Sequence, residues 1–146
     1  MNKKEYLNSV YKLHESIEAD RFEISKIQNQ MYGITGINYA KEPVMGGGLP
    51  SSNMEEGLIR LEEVKNRLSR KMIRYEAIRA KLIKEINLMK HTKERYVLIQ
   101  RYLCFNDWKT ILFSMKDMDV HSLDAVFAIH RRAKNHFRTL EQISVD

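Results

Sequence analysis

The stretch that decides the fold is Lys93–Phe137, KERYVLIQRYLCFNDWKTILFSMKDMDVHSLDAVFAIHRRAKNHF. Its apolar side chains recur at intervals of three and four residues in three successive groups, which is the spacing of amphipathic helices. The clearest group is Trp108, Ile111, Leu112 and Met115, at i, i+3, i+4 and i+7. We therefore expect three short helices packed around a buried Trp108.

Residues suited to begin helices lie between these groups. Asn106 or Asp107 can offer a side-chain oxygen to the free amides of the second helix, and Ser122 can do so for the third. The third helix is expected to bury Val126 and to leave its basic residues outside, where they can meet phosphate. The predicted phosphate contacts are Arg131, Arg132, Lys134, Asn135 and Arg138, with Ser122 and Asp124 nearest the bases.

The sequence RYLCFNDWKTI, followed by a capped helix ending in VFAIHRRA, resembles the C-terminal domain of phage-encoded regulators related to ArpU and RinA. The pattern of that family runs RYL, W-x-x-I, a turn, a serine and V-x-x-I-H-x-x-A. The resemblance extends over nearly the whole chain and implies a helix-turn-helix domain similar to region four of bacterial sigma factors, which reads promoter DNA in the major groove. The matching positions are Arg101, Tyr102, Leu103, Trp108, Ile111, Ser122, Val126, Ile129, His130 and Ala133.

Two features depart from the family pattern. Leu112 stands where the family usually has a small residue, and the turn from Met115 to Ser122 is longer. That turn also contains Asp117 and Asp119, whose negative charge opposes a phosphate backbone. These departures affect the expected contacts with DNA more than they affect the expected fold.

Composition is typical of a helical protein. The 146 residues, 43% hydrophobic and 30% charged, fit one domain or a small domain with an appended helical hairpin. Only two prolines and six glycines are present, which argues against an all-β fold. We find no long apolar run and no secretion signal, so we expect a protein of the host-cell cytoplasm that does not associate with membranes. The single Cys104 is consistent with a reducing compartment.

Two long helices are predicted before this tail. Residues 3–32 have apolar side chains at alternating spacings of four and three, and Asp20 is the one break. Residues 54–89 repeat that spacing, with Lys65 and Arg79 as charged interruptions. Such stripes are typical of helices that pack along one another as in coiled coils. Each long helix is therefore expected to pack against the other.

The intervening residues 33–53 are rich in glycine, proline, serine and asparagine, and they are predicted to form a flexible loop. The resulting prediction is an all-α protein: a long antiparallel helical hairpin over 1–90, then a three-helix helix-turn-helix domain over 91–146. Dimerisation is expected to cover apolar residues that the hairpin leaves over. Those residues are Ile59, Val64, Ile73, Ile78 and Ile83.

A basic stripe follows the second long helix. It consists of Arg60, Arg67, Arg70, Arg74, Lys81 and Lys84. Residues 54–103, which include it, hold thirteen basic and seven acidic residues, and so account for the net charge of +6. The stripe either follows a nucleic-acid backbone or an acidic protein surface, or it is a solvated face partly paired with Glu15, Glu18 or Glu23.

No catalytic, cofactor or metal site is predicted. The five histidines show no paired ligand spacing, and Cys104 has no second thiol nearby. We interpret His130 as a helix-packing or exposed residue rather than a phosphate ligand, and Trp108 as a core residue rather than a base-stacking platform.

The leading hypothesis is a DNA-binding transcriptional regulator, not an enzyme. Its helix-turn-helix domain is expected to dock on duplex DNA, while the hairpin forms a dimer or contacts RNA polymerase. Two alternatives stay open. The chain is also compatible with a phage protein that inhibits a host nucleic-acid-processing enzyme, and with the small subunit of a phage terminase.

Overall fold

A computed structural model describes residues 1–32 and 48–145, with the side chains of 48–53 outside that description. Within these ranges the chain is helical and has no strand, so the prediction of an all-α protein is confirmed. A short 3-10 turn, Lys116–Met118, lies between the fifth and sixth helices. The helices are α1 (Lys3–Leu7), α2 (Ser9–Tyr32), α3 (Gly48–Asn87), α4 (Thr92–Tyr102), α5 (Trp108–Ser114), α6 (Leu123–His136) and α7 (Leu140–Val145).

The start of α3 differs from the prediction. The helix begins at Gly48, inside the segment expected to be a loop, whereas the apolar spacing begins only at Met54. Pro50 lies in the first turn, where a helix has no backbone partner for the N–H that proline lacks. Proline and glycine there are therefore compatible with a helix start. The rest of the expected loop, 33–47, lies outside the described residues.

The chain forms two compact units. The larger unit consists of Met1–Leu13 with Tyr75–Asp146, and the smaller unit is His14–Arg74. The boundary expected after residue 90 is therefore not where the structure divides the chain. Residues 75–90 belong with the tail because they share its apolar core.

In the smaller unit, α2 and α3 pack through an apolar cluster of Ile27, Leu61 and Val64. Leu58 and Met72, which strict heptad spacing places in the seam, are instead 49% and 41% exposed. An α-helix turns every 3.6 residues, so a 3.5-residue pattern drifts around a long helix. This drift explains why Val64, which was expected to stay exposed on the hairpin for a dimer contact, is buried.

Asp20, the break in the apolar stripe, is a buried ion-pair partner in the smaller unit. It is only 3% exposed, and its carboxylate lies 3.0 Å from Arg67 Nη2 and 2.9 Å from Lys71 Nζ. Burial raises the pKa of Asp20, but the hydrogen bonds from Arg67 and Lys71 outweigh that effect and hold its pKa below the usual value. Lys65, predicted to interrupt the seam, is exposed. The basic residues that pair with Asp20 between α2 and α3 are therefore Arg67 and Lys71, and not Lys65.

The larger unit contains two apolar clusters. The first joins α1 and the start of α2 to the end of α3 and the tail, through residues such as Leu7, Ile86 and Phe137. Ile78 and Ile83 pack against it, so they are not left over for a dimer as predicted. The second cluster lies among α4, α5 and α6. Its buried members are Val97, Ile111, Met115, Val120, Val126 and Ile129.

Candidate nucleic-acid interface

Side-chain caps fix the starts of α5 and α6: Ser122 caps α6 as predicted, and of the two candidates for α5, Asn106 and Asp107, the cap is Asp107. Asp107 accepts a hydrogen bond of 2.8 Å from the Thr110 amide, and this contact holds the pKa of Asp107 below its usual value. Ser122 Oγ accepts a hydrogen bond of 3.1 Å from the Ala125 amide. Each cap satisfies an amide that has no partner within its helix.

The connection between α5 and α6 is longer than a tight helix-turn-helix turn. It contains the 3-10 turn Lys116–Met118 and then Asp119, which has a left-handed backbone with φ 63°. Val120 follows and is 3% exposed in the second cluster. Leu112, where the family pattern has a small residue, lies partly buried against the same cluster. The longer turn is therefore packed onto the unit rather than looped away from it.

The outward face of α6 presents a polar and basic line. Val126, Ile129 and Ala133 are buried on the inner side of this helix. Asp124 and Arg131 are exposed on the opposite side. Asn135 and Arg132 are also exposed on this helix, whereas Lys134, predicted on the outer side, is partly buried.

Four of the predicted contact residues have structural partners. Ser122 Oγ is engaged in the cap, and the Lys134 and Asn135 carbonyls accept hydrogen bonds of 2.9 and 3.1 Å from Lys3 Nζ. The Asn135 side chain stays exposed, whereas that of Lys134 is partly buried. Arg138 lies beyond the end of α6, and its Nη2 donates to the Gln142 carbonyl at 2.8 Å. Arg131 and Arg132 are therefore the best placed of the predicted cations.

Trp108 is only partly buried, so the prediction of a buried tryptophan at the centre of the tail is wrong. Its ring lies at the edge of the second cluster, in contact with Phe127 and His130 at centroid distances of 5.2 and 4.8 Å. The Arg101 guanidinium lies 4.4 Å from the Trp108 centroid. The buried positions of this cluster belong to other side chains, such as Ile111 and Met115, which are both 0% exposed.

His130 is a packing residue in the structure. Its Nε2 lies 2.7 Å from the Tyr102 hydroxyl, and the two rings are stacked at 5.7 Å. Burial lowers the pKa of His130 to about 4, with further lowering from the charges of Lys134, Arg101 and Lys4. Burial likewise raises the pKa of Tyr102. The imidazole is therefore neutral at pH 7, and it cannot serve as a cation for phosphate.

The residues of the predicted basic stripe differ in whether a carboxylate pairs with them. Arg67 pairs with Asp20 and with Glu23, the latter at 2.7 Å, so its charge is neutralised within the smaller unit. Lys81 pairs with Glu141 at 2.6 Å in the larger unit. The other members, Arg60, Arg70, Arg74 and Lys84, are exposed. The solvated and partly paired interpretation fits these positions better than a continuous cationic track.

The net charge resides in the larger unit. That unit has sixteen basic and ten acidic residues, whereas the smaller unit has nine of each. The whole excess of +6 therefore lies in the part of the chain that contains α6.

The structure also joins residues that no sequence spacing indicated. Glu85 of α3 is buried and binds both α1 and α7, and the sequence predicted neither this role nor α7 itself. His91, Glu94 and His136 come together in the larger unit with ligand atoms close enough to hold a metal ion.

None of the helices in the described part of the chain combines the length and apolarity needed to span a bilayer. Comparison of the chain with protein-family models, with curated proteins and with solved structures found no match.

Proposed function

We propose that the protein is a DNA-binding regulator in which α4, α5 and α6 form a helix-turn-helix domain and α6 enters the major groove of duplex DNA. The observation that supports this most is the exposed face of α6. Arg131 is exposed on that face and Arg132 is exposed on its flank, towards the start of α4, and no carboxylate of the described residues pairs with either. Unpaired guanidinium groups on a basic unit are the electrostatic footprint of phosphate binding.

The dimensions of α6 suit a major groove. Asp124, Arg131 and Asn135 follow one line along its outward face, and they span about 16 Å by the rise of an α-helix. An α-helix with its side chains is about 10–12 Å in diameter, so a major groove about 12 Å wide admits it. Asparagine can pair with adenine, and aspartate can accept a hydrogen bond from cytosine. In this arrangement the short side chains of Asp124 and Asn135 face base edges, while the longer side chains of Arg131 and Arg132 extend to phosphates at the rim of the groove.

The resemblance to phage regulators related to ArpU and RinA supports the same role and suggests transcription control with RNA polymerase as a further partner. The antiparallel helical hairpin is then the part that forms a dimer. Ile59 and Ile73, on α3 in the smaller unit, are 61% and 73% exposed and supply an apolar surface for it. Sedimentation of the chain as a dimer, and of an Ile59→Glu/Ile73→Glu variant as a monomer, tests this part of the proposal.

The DNA-binding experiment is fluorescence anisotropy on labelled duplex DNA with purified full-length protein. Arg131→Ala/Arg132→Ala is expected to weaken binding about 100-fold, because each lost charge-assisted contact costs about 1.5 kcal/mol. The matched control is Arg60→Ala/Arg70→Ala, which removes the same charge from the smaller unit. An equal loss in both variants, or no loss in the first, contradicts a specific role for α6.

A second function is favoured by one observation on α5. Phe113 is 72% exposed, next to the acidic turn, with Lys116 Nζ 4.9 Å from the ring centroid. Exposed aromatic residues are frequent anchors of protein interfaces, as expected if the chain inhibits a host nucleic-acid-processing enzyme. Nuclease-resistant capture of such an enzyme that Phe113→Ala abolishes, with DNA binding intact, favours this function over the first.

A further inference from the structure

Three side chains that could bind a metal ion meet in the larger unit. His91 is the N-cap residue of α4, Glu94 lies in the first turn of that helix, and His136 is the last residue of α6. Their imidazole nitrogens and carboxylate oxygens all lie within 4.8 Å of one another. The packing of α6 against α4 therefore brings two imidazoles and a carboxylate to one point.

The distances are close to those of a metal centre. His136 Nδ1 lies 2.7 Å from Glu94 Oε1, and the rings of His91 and His136 are 5.6 Å apart between centroids. In a tetrahedral centre with metal–ligand bonds of about 2.1 Å, neighbouring ligand atoms are separated by about 3.4 Å. The separation between His136 Nδ1 and Glu94 Oε1 is shorter than that value, and no pair of ligand atoms is more than 4.8 Å apart. Both histidines are exposed, so their side chains have room to rotate towards a common ion.

Glu94 is the unusual member of this cluster. Its carboxyl group is on a residue only 6% exposed, and a buried carboxylate is costly without a hydrogen-bonding or charged partner. Among the described residues, the partner that the structure gives it is the exposed His136. The first turn of α4 favours a negative charge at Glu94 through the helix dipole. His91 makes no side-chain capping bond, so its imidazole is available.

We propose that His91, Glu94 and His136 bind one divalent transition-metal ion of the zinc class. Two imidazoles and one carboxylate are a ligand set of zinc centres that keep a fourth position for water. Imidazole nitrogens select such ions over Mg²⁺ and Ca²⁺, which prefer oxygen ligands. A bound ion would tie the start of α4 to the end of α6.

Solvent reaches the cluster through a surface cavity of about 400 Å³ lined by all three residues. Lys93 and Arg132 also line this cavity, and their charge opposes a bound cation. The Glu94 carboxylate offsets part of that repulsion, which makes this residue essential to the site rather than auxiliary. The sequence did not indicate the cluster because His136 lies far along the chain from His91 and Glu94.

The test uses the full chain, treated with chelator and then titrated with Zn²⁺ by calorimetry, with Co²⁺ absorption as a second readout. One ion per chain is expected. His91→Ala and His136→Ala are each expected to lower the Zn²⁺ affinity at least tenfold, as is Glu94→Gln. The matched control is His121→Ala, because His121 is an exposed histidine that pairs with Asp119 outside the cluster. Mg²⁺ is expected to produce no heat.

The outcome does not depend on DNA binding, since no nucleic acid is present. Circular dichroism of each variant establishes that it is folded. If Glu94→Gln fails to fold, the two exposed histidine variants decide the result. Unchanged Zn²⁺ affinity in His91→Ala and His136→Ala, a loss as large in His121→Ala, or binding without saturation at one ion would overturn the proposal.

Discussion

Glu85 is expected to be the residue on which the larger unit depends most. Its side chain is fully buried, and its oxygens accept hydrogen bonds from the Tyr6 hydroxyl at 2.5 Å and from the Leu140 amide at 2.8 Å. Lys81 Nζ lies 3.8 Å away. One carboxylate on α3 therefore holds both α1 and α7. Burial, and then the contact with Glu85, raises the pKa of Tyr6 to about 12, so the phenol stays a donor at neutral pH.

The perturbation is Glu85→Ala. It removes two hydrogen bonds to a charged acceptor, leaves the Leu140 amide unpaired and opens a cavity, for an expected cost of about 3–4 kcal/mol in the free energy of unfolding. Glu85→Gln keeps the shape and is expected to cost about 1–2 kcal/mol. Tyr6→Phe removes one of the two bonds and is expected to cost about 1 kcal/mol.

Urea denaturation followed by Trp108 fluorescence measures these changes, because Trp108 is the only tryptophan and lies in the larger unit. A double-mutant cycle between Tyr6→Phe and Glu85→Ala is expected to give a coupling of about 1 kcal/mol. A loss below about 1 kcal/mol for Glu85→Ala would show that this carboxylate does not join α1 and α7 to α3.

Three further predictions concern single side chains. Because the folded pKa of His130 is about 4 and its ordinary value is 6.5, the unfolded chain binds the proton first, and the free energy of unfolding falls as the pH drops between those values. The fall in the free energy of unfolding is about 2 kcal/mol after solvent screening. Urea titrations at pH 7 and 4.5 measure this fall, and His130→Gln is expected to abolish it. Ser122→Ala is expected to cost about 1 kcal/mol by removing the cap of α6, whereas Ser122→Asp keeps it; thermal melts distinguish the two. Asp20→Ala leaves Arg67 and Lys71 without their shared carboxylate, so amides of α2 near residue 20 are expected to exchange hydrogen about tenfold faster, with no change in α6. The lowered pKa of Asp20 means that its contribution is present at neutral pH and is lost as the pH falls through that pKa.

The short-range features of the tail could be read from the sequence. The apolar spacing predicts three helices, and a side-chain oxygen before an apolar period predicts a cap, at Asn106 or Asp107 for α5 and at Ser122 for α6. The exposure of Arg131 and Arg132 followed from the same periodicity. These features are local, and the structure contains them at the predicted residues.

Features set by packing between distant segments could not be read in this way. The apolar spacing predicts a central Trp108, yet the position of its ring at the edge of the second cluster depends on Arg101, Phe127 and His130, which lie on other helices. In the sequence Asp20 only interrupts the apolar pattern, and its pairing with Arg67 and Lys71, which are distant along the chain, is a result of tertiary structure. The meeting of His91, Glu94 and His136 is likewise a result of tertiary structure.

The salt dependence of duplex binding addresses the role of α6 most directly. For the wild-type protein, log affinity is expected to fall linearly with log salt concentration, with a slope of about −0.9 for each phosphate contact. Removing both guanidinium groups in Arg131→Ala/Arg132→Ala should make that slope shallower by about 1.8, while Arg60→Ala/Arg70→Ala leaves it unchanged. Parallel lines for the wild type and the α6 variant would show that neither arginine touches the DNA backbone.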